Sequence, residues 1–227
     1  MQQQNPVHVA LIMDGNRHWA KEHHLPLSWG YRRGVVRITE IVKSAIEQNI
    51  AHLTLFAFST ENWKRPETEV SYLMQLFSRS ITHYTPFLLK QEINVRFIGN
   101  LNALKPDLVE RIMAIQAKTR NYQKLFLKIA VNYSSRDEVI RTMKKIPPCD
   151  LQDYSWETFR QQLDTGNCPD VDLLIRTSGN QRLSNFLLLQ SAYAELIFVK
   201  KNWPDFTKQD FECLIQAFGQ HERTFGK

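Results

Sequence analysis

The apolar run Val7-His8-Val9-Ala10-Leu11-Ile12 stops abruptly at Met13-Asp14-Gly15-Asn16-Arg17-His18-Trp19. This junction constrains the fold more than any other stretch. A short run that is apolar throughout has the character of a strand buried on both faces, as in a parallel sheet. The acid, glycine and amide that follow mark the place where such a strand gives way to a helix. Backbone N–H groups point outward there and a carboxylate can hold a metal against an anion, which is a common architecture for a phosphate site.

Five more runs read as strands: 52–58, 93–99, 125–133, 172–177 and 194–199. Helical periodicity fills the intervals. Gly30 to Asn49 places Val35, Ile38, Ile41, Val42, Ala45 and Ile46 at steps of three and four. Glu67 to Leu89 reads as a long helix broken near Pro86. Shorter helices are expected over 105–120, 134–145, 155–163 and 207–218. Strands alternating with helices predict an α/β fold: one domain over 1–227, with a central, mostly parallel six-stranded sheet flanked by helices. No internal repeat or long linker divides the chain.

Hydrophobic content of 43% and charged content of 23% are those of a globular protein. No apolar run approaches the ~20 residues of a membrane helix, and Met1 to Pro6 lacks the layout of a signal peptide. A cytoplasmic location is the expectation. Cys149, Cys168 and Cys213 have neither zinc nor disulfide spacing. A net charge of +6 suits anionic ligands; the basic residues form no long run, so nucleic acid is not expected as a partner.

In parallel α/β sheets, ligands sit outside the carboxyl ends of the strands. Asp14, the loop Asn62 to Arg65, Arg176 and Glu195 are expected on that rim. Two carboxylates, Asp14 and Glu195, with Arg65, Arg176 and Arg182, suit Mg²⁺ and a polyanion such as a diphosphate, because guanidinium groups bind phosphate oxygens bidentately. Dinucleotide, P-loop, nucleophile-elbow and zinc-protease motifs are all absent. The pair His23-His24 reads as surface, and Phe186 to Tyr193 as core.

These residues resemble a known family. His8 to Asn16, Leu55 to Pro66, Asp172 to Gly179, Arg182 to Gln190, Tyr193 to Leu196 and Trp203 to Phe206 match, in order, motifs of the cis-prenyltransferases, of which the undecaprenyl diphosphate synthases are best known. The resemblance implies a homodimer with an apolar tunnel and Mg²⁺-dependent condensation of isopentenyl diphosphate with an allylic diphosphate to give a Z-prenyl diphosphate. It implies that Asp14 is catalytic and handles the metal, and that Gly15, Asn16, Arg17, His18 and Trp19 surround the allylic diphosphate. Asn62 and Arg65 would orient the reacting groups, with Asn62 and Asp14 as candidates for proton removal. Trp63 and Glu69 would belong to a closing loop. Arg176, Arg182 and Ser184 would bind isopentenyl diphosphate, and Glu195, from the same rim or from the partner, would help hold Mg²⁺. A lipid product would bring transient membrane association.

The chain also departs from the family pattern. Arginine is usual where His18 and Leu27 stand, and histidine where Tyr31 stands; all three usual residues would contact the allylic diphosphate. Asn-Tyr-Gly-Gly-Arg has become Asn132-Tyr133-Ser134-Ser135-Arg136, the glutamate of Ser-Gly-Glu is Asn180, and the arginine-rich tail is His221 to Gly226. Three readings follow: a chain-elongating synthase with a rearranged allylic site, a short-product or irregular head-to-middle synthase, and a non-catalytic subunit of an active synthase. Ala57, small on a tunnel-lining strand, favours elongation.

Overall fold

The computed structural model describes residues 5–147 and 155–220. Six strands form one sheet in the order β3-β4-β2-β1-β5-β6. They are β1 (His8–Ile12), β2 (His52–Ser59), β3 (Ile93–Ile98), β4 (Leu125–Tyr133), β5 (Leu173–Arg176) and β6 (Glu195–Phe198). Every pairing is parallel, so the sheet is wholly rather than mostly parallel. The helices are α1 (Asn16–Glu22), α2 (Leu27–Glu47), α3 (Glu67–Lys90), α4 (Pro106–Thr119), α5 (Ser135–Met143), α6 (Trp156–Gln162) and α7 (Lys208–Phe218).

Side-chain alternation divides the core into two layers. Val9 and Leu11 of β1 pack on one face with Ile41 and Val42 of α2, Ile81 of α3, Ile112 of α4 and Phe211 of α7. Ala10 and Ile12 face the other way, against Ile98, Ala130, Leu174, Phe186 and Leu187. Only part of the stretch 186–193 is core: Phe186 and Leu187 are buried, whereas Leu188 and Tyr193 are exposed.

Two helices differ from expectation. Residues 16–22 form a separate helix, α1, because Trp19 and Ala20 give it just enough of a buried edge. Helix α3 runs unbroken through Pro86. Burial of Ile81 and Leu88 on either side offsets the lost backbone bond, and the Thr85 hydroxyl donates to the Ile81 carbonyl oxygen at 2.7 Å.

The chain leaves β1 for β2 on one side and returns after β4 to β5 on the other. This switch point leaves a crevice at the carboxyl ends of the central strands, where ligands bind in such sheets.

The opposite pole holds a buried polar cluster. His8 is fully buried, with Nδ1 2.8 Å from the Pro169 carbonyl oxygen and Nε2 2.8 Å from Thr54 Oγ1. A carbonyl only accepts, so Nδ1 carries the proton and Nε2 accepts from the hydroxyl. Burial pushes the His8 pKa down to about 3, with Lys128 and His52 adding to it, and pushes His52 down to about 4. Both imidazoles are therefore neutral in the fold and titrate near 6.5 when it unfolds. The stability they preserve is complete above pH ~6.5 and declines as pH falls towards their folded values. For His8 alone, ~1.36 kcal/mol per unit gives about 3 kcal/mol lost by pH ~4. His8→Gln should flatten the acid side of the stability profile in urea titrations; an unchanged slope would refute the assignment.

Candidate active site

Asp14 stands at the crevice, two residues past the end of β1. Its carbonyl oxygen accepts from Thr177 Oγ1 at 2.7 Å and from the Trp203 N–H at 2.9 Å, which fixes the backbone between two neighbouring loops. Arg176, the last residue of β5, donates to Asp14 Oδ2 at 2.8 Å, and Asn180 Nδ2 donates to the same oxygen at 3.0 Å. The Gly15 N–H meets Oδ1 at 2.9 Å. Burial pushes the Asp14 pKa up, but the Arg176 bond and charge, with Asn180 and Gly15, together hold it below the usual carboxylate value. Asp14 is an anion at neutral pH.

Gly15 is required by the turn. Its φ of +102° disfavours other residues, and a Cβ there would lie 2.4 Å from Asn202 Oδ1. Gly34 of α2 plays the matching part across the crevice, since a Cβ on it would meet Asn16 Oδ1 at 2.3 Å. Gly15 lets the turn after β1 approach Asn202, and Gly34 lets α2 approach the start of α1 at Asn16.

The crevice opens into a cavity of about 970 Å³. Its mouth is polar, with Asp14, Asn16, Arg17, His18, Asn62, Arg65, Arg176 and Ser184 among the lining residues. Its interior is apolar: Ile38 and Val42 of α2, Phe77 and Leu88 of α3, and Leu127 of β4 line it. Because α3 starts beside the rim and ends at the opposite pole, the cavity follows it for about 22 Å from Leu73 to Leu88 at ~1.5 Å per residue. Ala57 lies on this wall at an irregular register of β2.

The altered wall at Tyr31 is explicit. The Tyr31 hydroxyl donates to Glu69 Oε1 at 2.6 Å, Arg65 Nη1 donates to both Tyr31 Oη and Glu69 Oε1 at 3.2 Å, and Arg17 lies 3.9 Å from Glu69 Oε2. Burial, then the Glu69 bond, raises the Tyr31 pKa, so the phenol stays protonated and donating. Glu69 is not in a loop but in the first turn of α3, where the helix dipole favours an acid. His18 Nδ1 lies 3.3 Å from Asn202 Oδ1.

Several expected residues lie elsewhere. Glu195 opens β6, level with Leu173 rather than with Arg176. All strands run the same way, so Glu195 is at the opposite pole, about 17 Å along the strand direction from the level of Asp14 at ~3.3 Å per residue. One chain does not bring them together. Trp19 is buried behind the mouth, its indole N–H donating to Asp205 Oδ1 at 2.9 Å. Trp63 donates to Asn132 Oδ1 at 2.7 Å instead of lining the cavity. Leu27 starts α2 and faces outward, and Arg182 is exposed, with its carbonyl rather than its side chain meeting Arg176. The altered tail 221–226 and Cys149 lie outside the described residues.

The mouth also contains Glu61, Arg136 and Asn185, to which the sequence assigned no role, and Asn180, which stood out only as a departure from Ser-Gly-Glu. Glu61, Arg136 and Asn180 lie two to four residues past the ends of β2, β4 and β5, where the strand-end rule that found Asp14 applies, whereas Asn185 lies nine residues past β5.

Fold and site together define a parallel α/β protein with an arginine-lined polar mouth above an apolar cavity. The family model described as "Putative undecaprenyl diphosphate synthase" matches residues 12–226. An isoprenyl transferase of Thermotoga maritima is 44% identical, covering 97% of both chains. One from Aquifex pyrophilus is 43% identical, covering 98% of this chain and 96% of that one. Lavandulyl diphosphate synthase from Lavandula x intermedia, solved in complex with dimethylallyl diphosphate, superposes with a TM-score of 0.93 at 31% identity, covering 98% of this chain and 99% of that one. A probable undecaprenyl diphosphate synthase from Campylobacter jejuni superposes at 0.83 with 35% identity, covering 99% and 100%. This chain belongs to the undecaprenyl diphosphate synthase family of cis-prenyltransferases and is a prenyltransferase.

Proposed function

We propose that this prenyltransferase condenses isopentenyl diphosphate with an allylic diphosphate and extends the Z-prenyl product into the tunnel. The carrying observation is a cavity that joins a cationic mouth to an apolar interior lined by α3 from Leu73 to Leu88. A diphosphate fits the mouth and a growing hydrocarbon fits the rest. Arg176 and Ser184, hydrogen-bonded at 2.8 Å, form the isopentenyl side, and Arg17, Arg65, His18 and Asn16 face the allylic diphosphate.

In the reaction, the isopentenyl double bond attacks the allylic carbon as the C–O bond to diphosphate breaks and its electron pair leaves with the diphosphate. The resulting cation loses a proton to form the new double bond. Asn62 Oδ1 already accepts from the Ser59 N–H at 3.1 Å, so its remaining role is to donate and orient. Asp14, kept ionised by Arg176, is the proton acceptor assigned here.

Among the described residues, no three His, Cys, Asp or Glu side chains gather into a metal cluster. Mg²⁺ nonetheless fits: it is commonly held by one or two carboxylates and completes its shell with water and substrate phosphates. Asp14 would hold it together with the diphosphate, and the bound ion would neutralise charge on the leaving group. Glu195 has no place in that shell within one chain.

Ile140 and Met143 of α5, with Leu188, Tyr193 and Leu196 near the edge strand β6, are exposed apolar residues that fit a homodimer contact. Among the described residues no helix is long and apolar enough to cross a membrane.

The test is incubation with Mg²⁺, labelled isopentenyl diphosphate and dimethylallyl, geranyl or farnesyl diphosphate. Long Z-polyprenyl products are expected. The Tyr31–Glu69 contact and the likeness to lavandulyl diphosphate synthase favour the second reading, a short or irregular product, and such products from every donor would establish it. Ala57→Phe should shorten the product distribution by filling the tunnel wall. An unchanged distribution at normal turnover would show that the chain does not pass Ala57.

A further inference from the structure

The elbow between α1 and α2 exposes apolar side chains close in sequence to residues that line the cavity mouth. Residues 21–27 are all exposed. Leu25 is 37% exposed, and on α2 Trp29 is 54% and Val36 53% exposed. Positions 29, 32, 33 and 36 share one helix face, so Trp29 and Val36 flank Arg32 and Arg33 there. Lys21 adds a third cation at the elbow. Arg32 Nε donates to Tyr72 Oη at 3.1 Å, and the Arg33 guanidinium lies 5.3 Å from the Trp19 ring centroid, so both are anchored at the surface. Of the nearby acids, Glu40 pairs with Arg37, while Glu22 accepts from Asn202 Nδ2 at 2.7 Å and keeps its charge, so the elbow and this face hold three cations against one free-standing acid.

We propose that this elbow and the outward face of α2 dock on an anionic lipid bilayer, holding the cavity mouth against the membrane. The proposal rests on reading the product as a prenyl lipid. Tryptophan and aliphatic groups ringed by lysine and arginine match the boundary between headgroups and acyl chains. The inward sides of the same helices line the cavity through Arg17, His18, Tyr31 and Ile38. A lipid leaving the mouth therefore emerges beside the docking face. A second copy of the chain fits this face poorly, because a two-fold contact would set Arg32 and Arg33 against their own images. The overall charge of +6 adds to the attraction.

The test is flotation of the whole protein, without substrates, on vesicles of phosphatidylcholine with and without phosphatidylglycerol. Binding is expected only with the anionic lipid. Arg32→Gln should weaken it about fivefold, the loss of one cation at the surface. Trp29→Ser and Leu25→Ser should each weaken it further, while Trp156→Ser, exposed but away from the elbow, should not. No binding to anionic vesicles, or equal loss in Trp156→Ser, overturns the docking assignment and leaves the prenyl-transfer reading standing. A change of oligomeric state in Trp29→Ser without vesicles also overturns it, in favour of contact between copies. Absent turnover with normal vesicle binding would sink the prenyl-transfer reading instead.

Discussion

Asp14→Asn is expected to lower kcat by about a thousandfold or more and to leave the protein folded. Asparagine preserves the volume and one acceptor oxygen, so the contact from Arg176 Nη2 can persist, while the one from the Gly15 N–H to the other oxygen is lost. What also disappears is the charge. The mouth then lacks the anion that would hold Mg²⁺ against the diphosphate and the acceptor for the released proton. The stability change should be a moderate loss of about 1–3 kcal/mol, because Arg176, 4% exposed, keeps the Ser184 and Arg182 acceptors but loses its counter-charge, and the 35% exposure of Asp14 limits the cost. Its sign follows from the lowered pKa: the carboxylate contributes stability above its unfolded pKa, and the contribution is lost as pH falls through the folded value. Single-turnover assays and thermal melts of the same preparation decide the matter. Turnover within a few-fold of the parent in a folded variant would remove Asp14 from the chemistry.

The strands were legible because each apolar run is bounded by a turn signal and is too short for a helix. The sheet order followed in class but not in detail, since pairings such as β3 with β4 depend on crossovers that no local pattern encodes. Helix α1 was hidden because Trp19 and Ala20 alone do not make a period. Pro86 misled because the backbone penalty is local, whereas the compensating burial of Ile81 and Leu88 is tertiary.

The candidate site shows the same division. Asp14, Asn62, Arg65 and Arg176 were placed by position, just beyond or at the carboxyl ends of strands. Glu195 was misplaced although its position at the start of an expected strand already put it on the far pole of a parallel sheet. The Tyr31–Glu69 contact was invisible, because it requires α2 and α3 to approach across a gap of 38 residues in sequence. That contact changes what Tyr31 means. It is no longer a lost cation alone; it is a donor that fixes Glu69, which in turn draws on Arg65 and Arg17. The part of the mouth lined by Arg17 and Arg65, proposed to face the allylic diphosphate, therefore has its cations partly committed to a protein carboxylate.

Arg176→Gln tests how the rest of the mouth is coupled to Asp14. Arg176 is 4% exposed and reaches three acceptors: Asp14 Oδ2, Ser184 Oγ and the Arg182 carbonyl oxygen. Glutamine cannot span them. Removing one partner of a buried pair typically costs 3–5 kcal/mol, and the partial exposure of Asp14 places this case near ~3. The loop that carries Ser184, held at a φ of +49°, loses its anchor at the same time. Activity should fall with the protein still folded in mild conditions, but the diagnostic is the pH profile. Burial, the largest influence on Asp14, pushes its pKa up, and Arg176 supplies the first opposing contribution. Without the guanidinium, only Asn180 and the Gly15 N–H oppose burial, so Asp14 must protonate at higher pH. The acid limb of kcat/KM is expected to move upward accordingly. Arg176→Lys should restore part of that shift but not the anchoring, because an ammonium lacks the planar fork that reaches Asp14 and Ser184 together. A uniform loss of activity with an unmoved acid limb would mean that Arg176 acts on substrate alone and does not set the charge of Asp14.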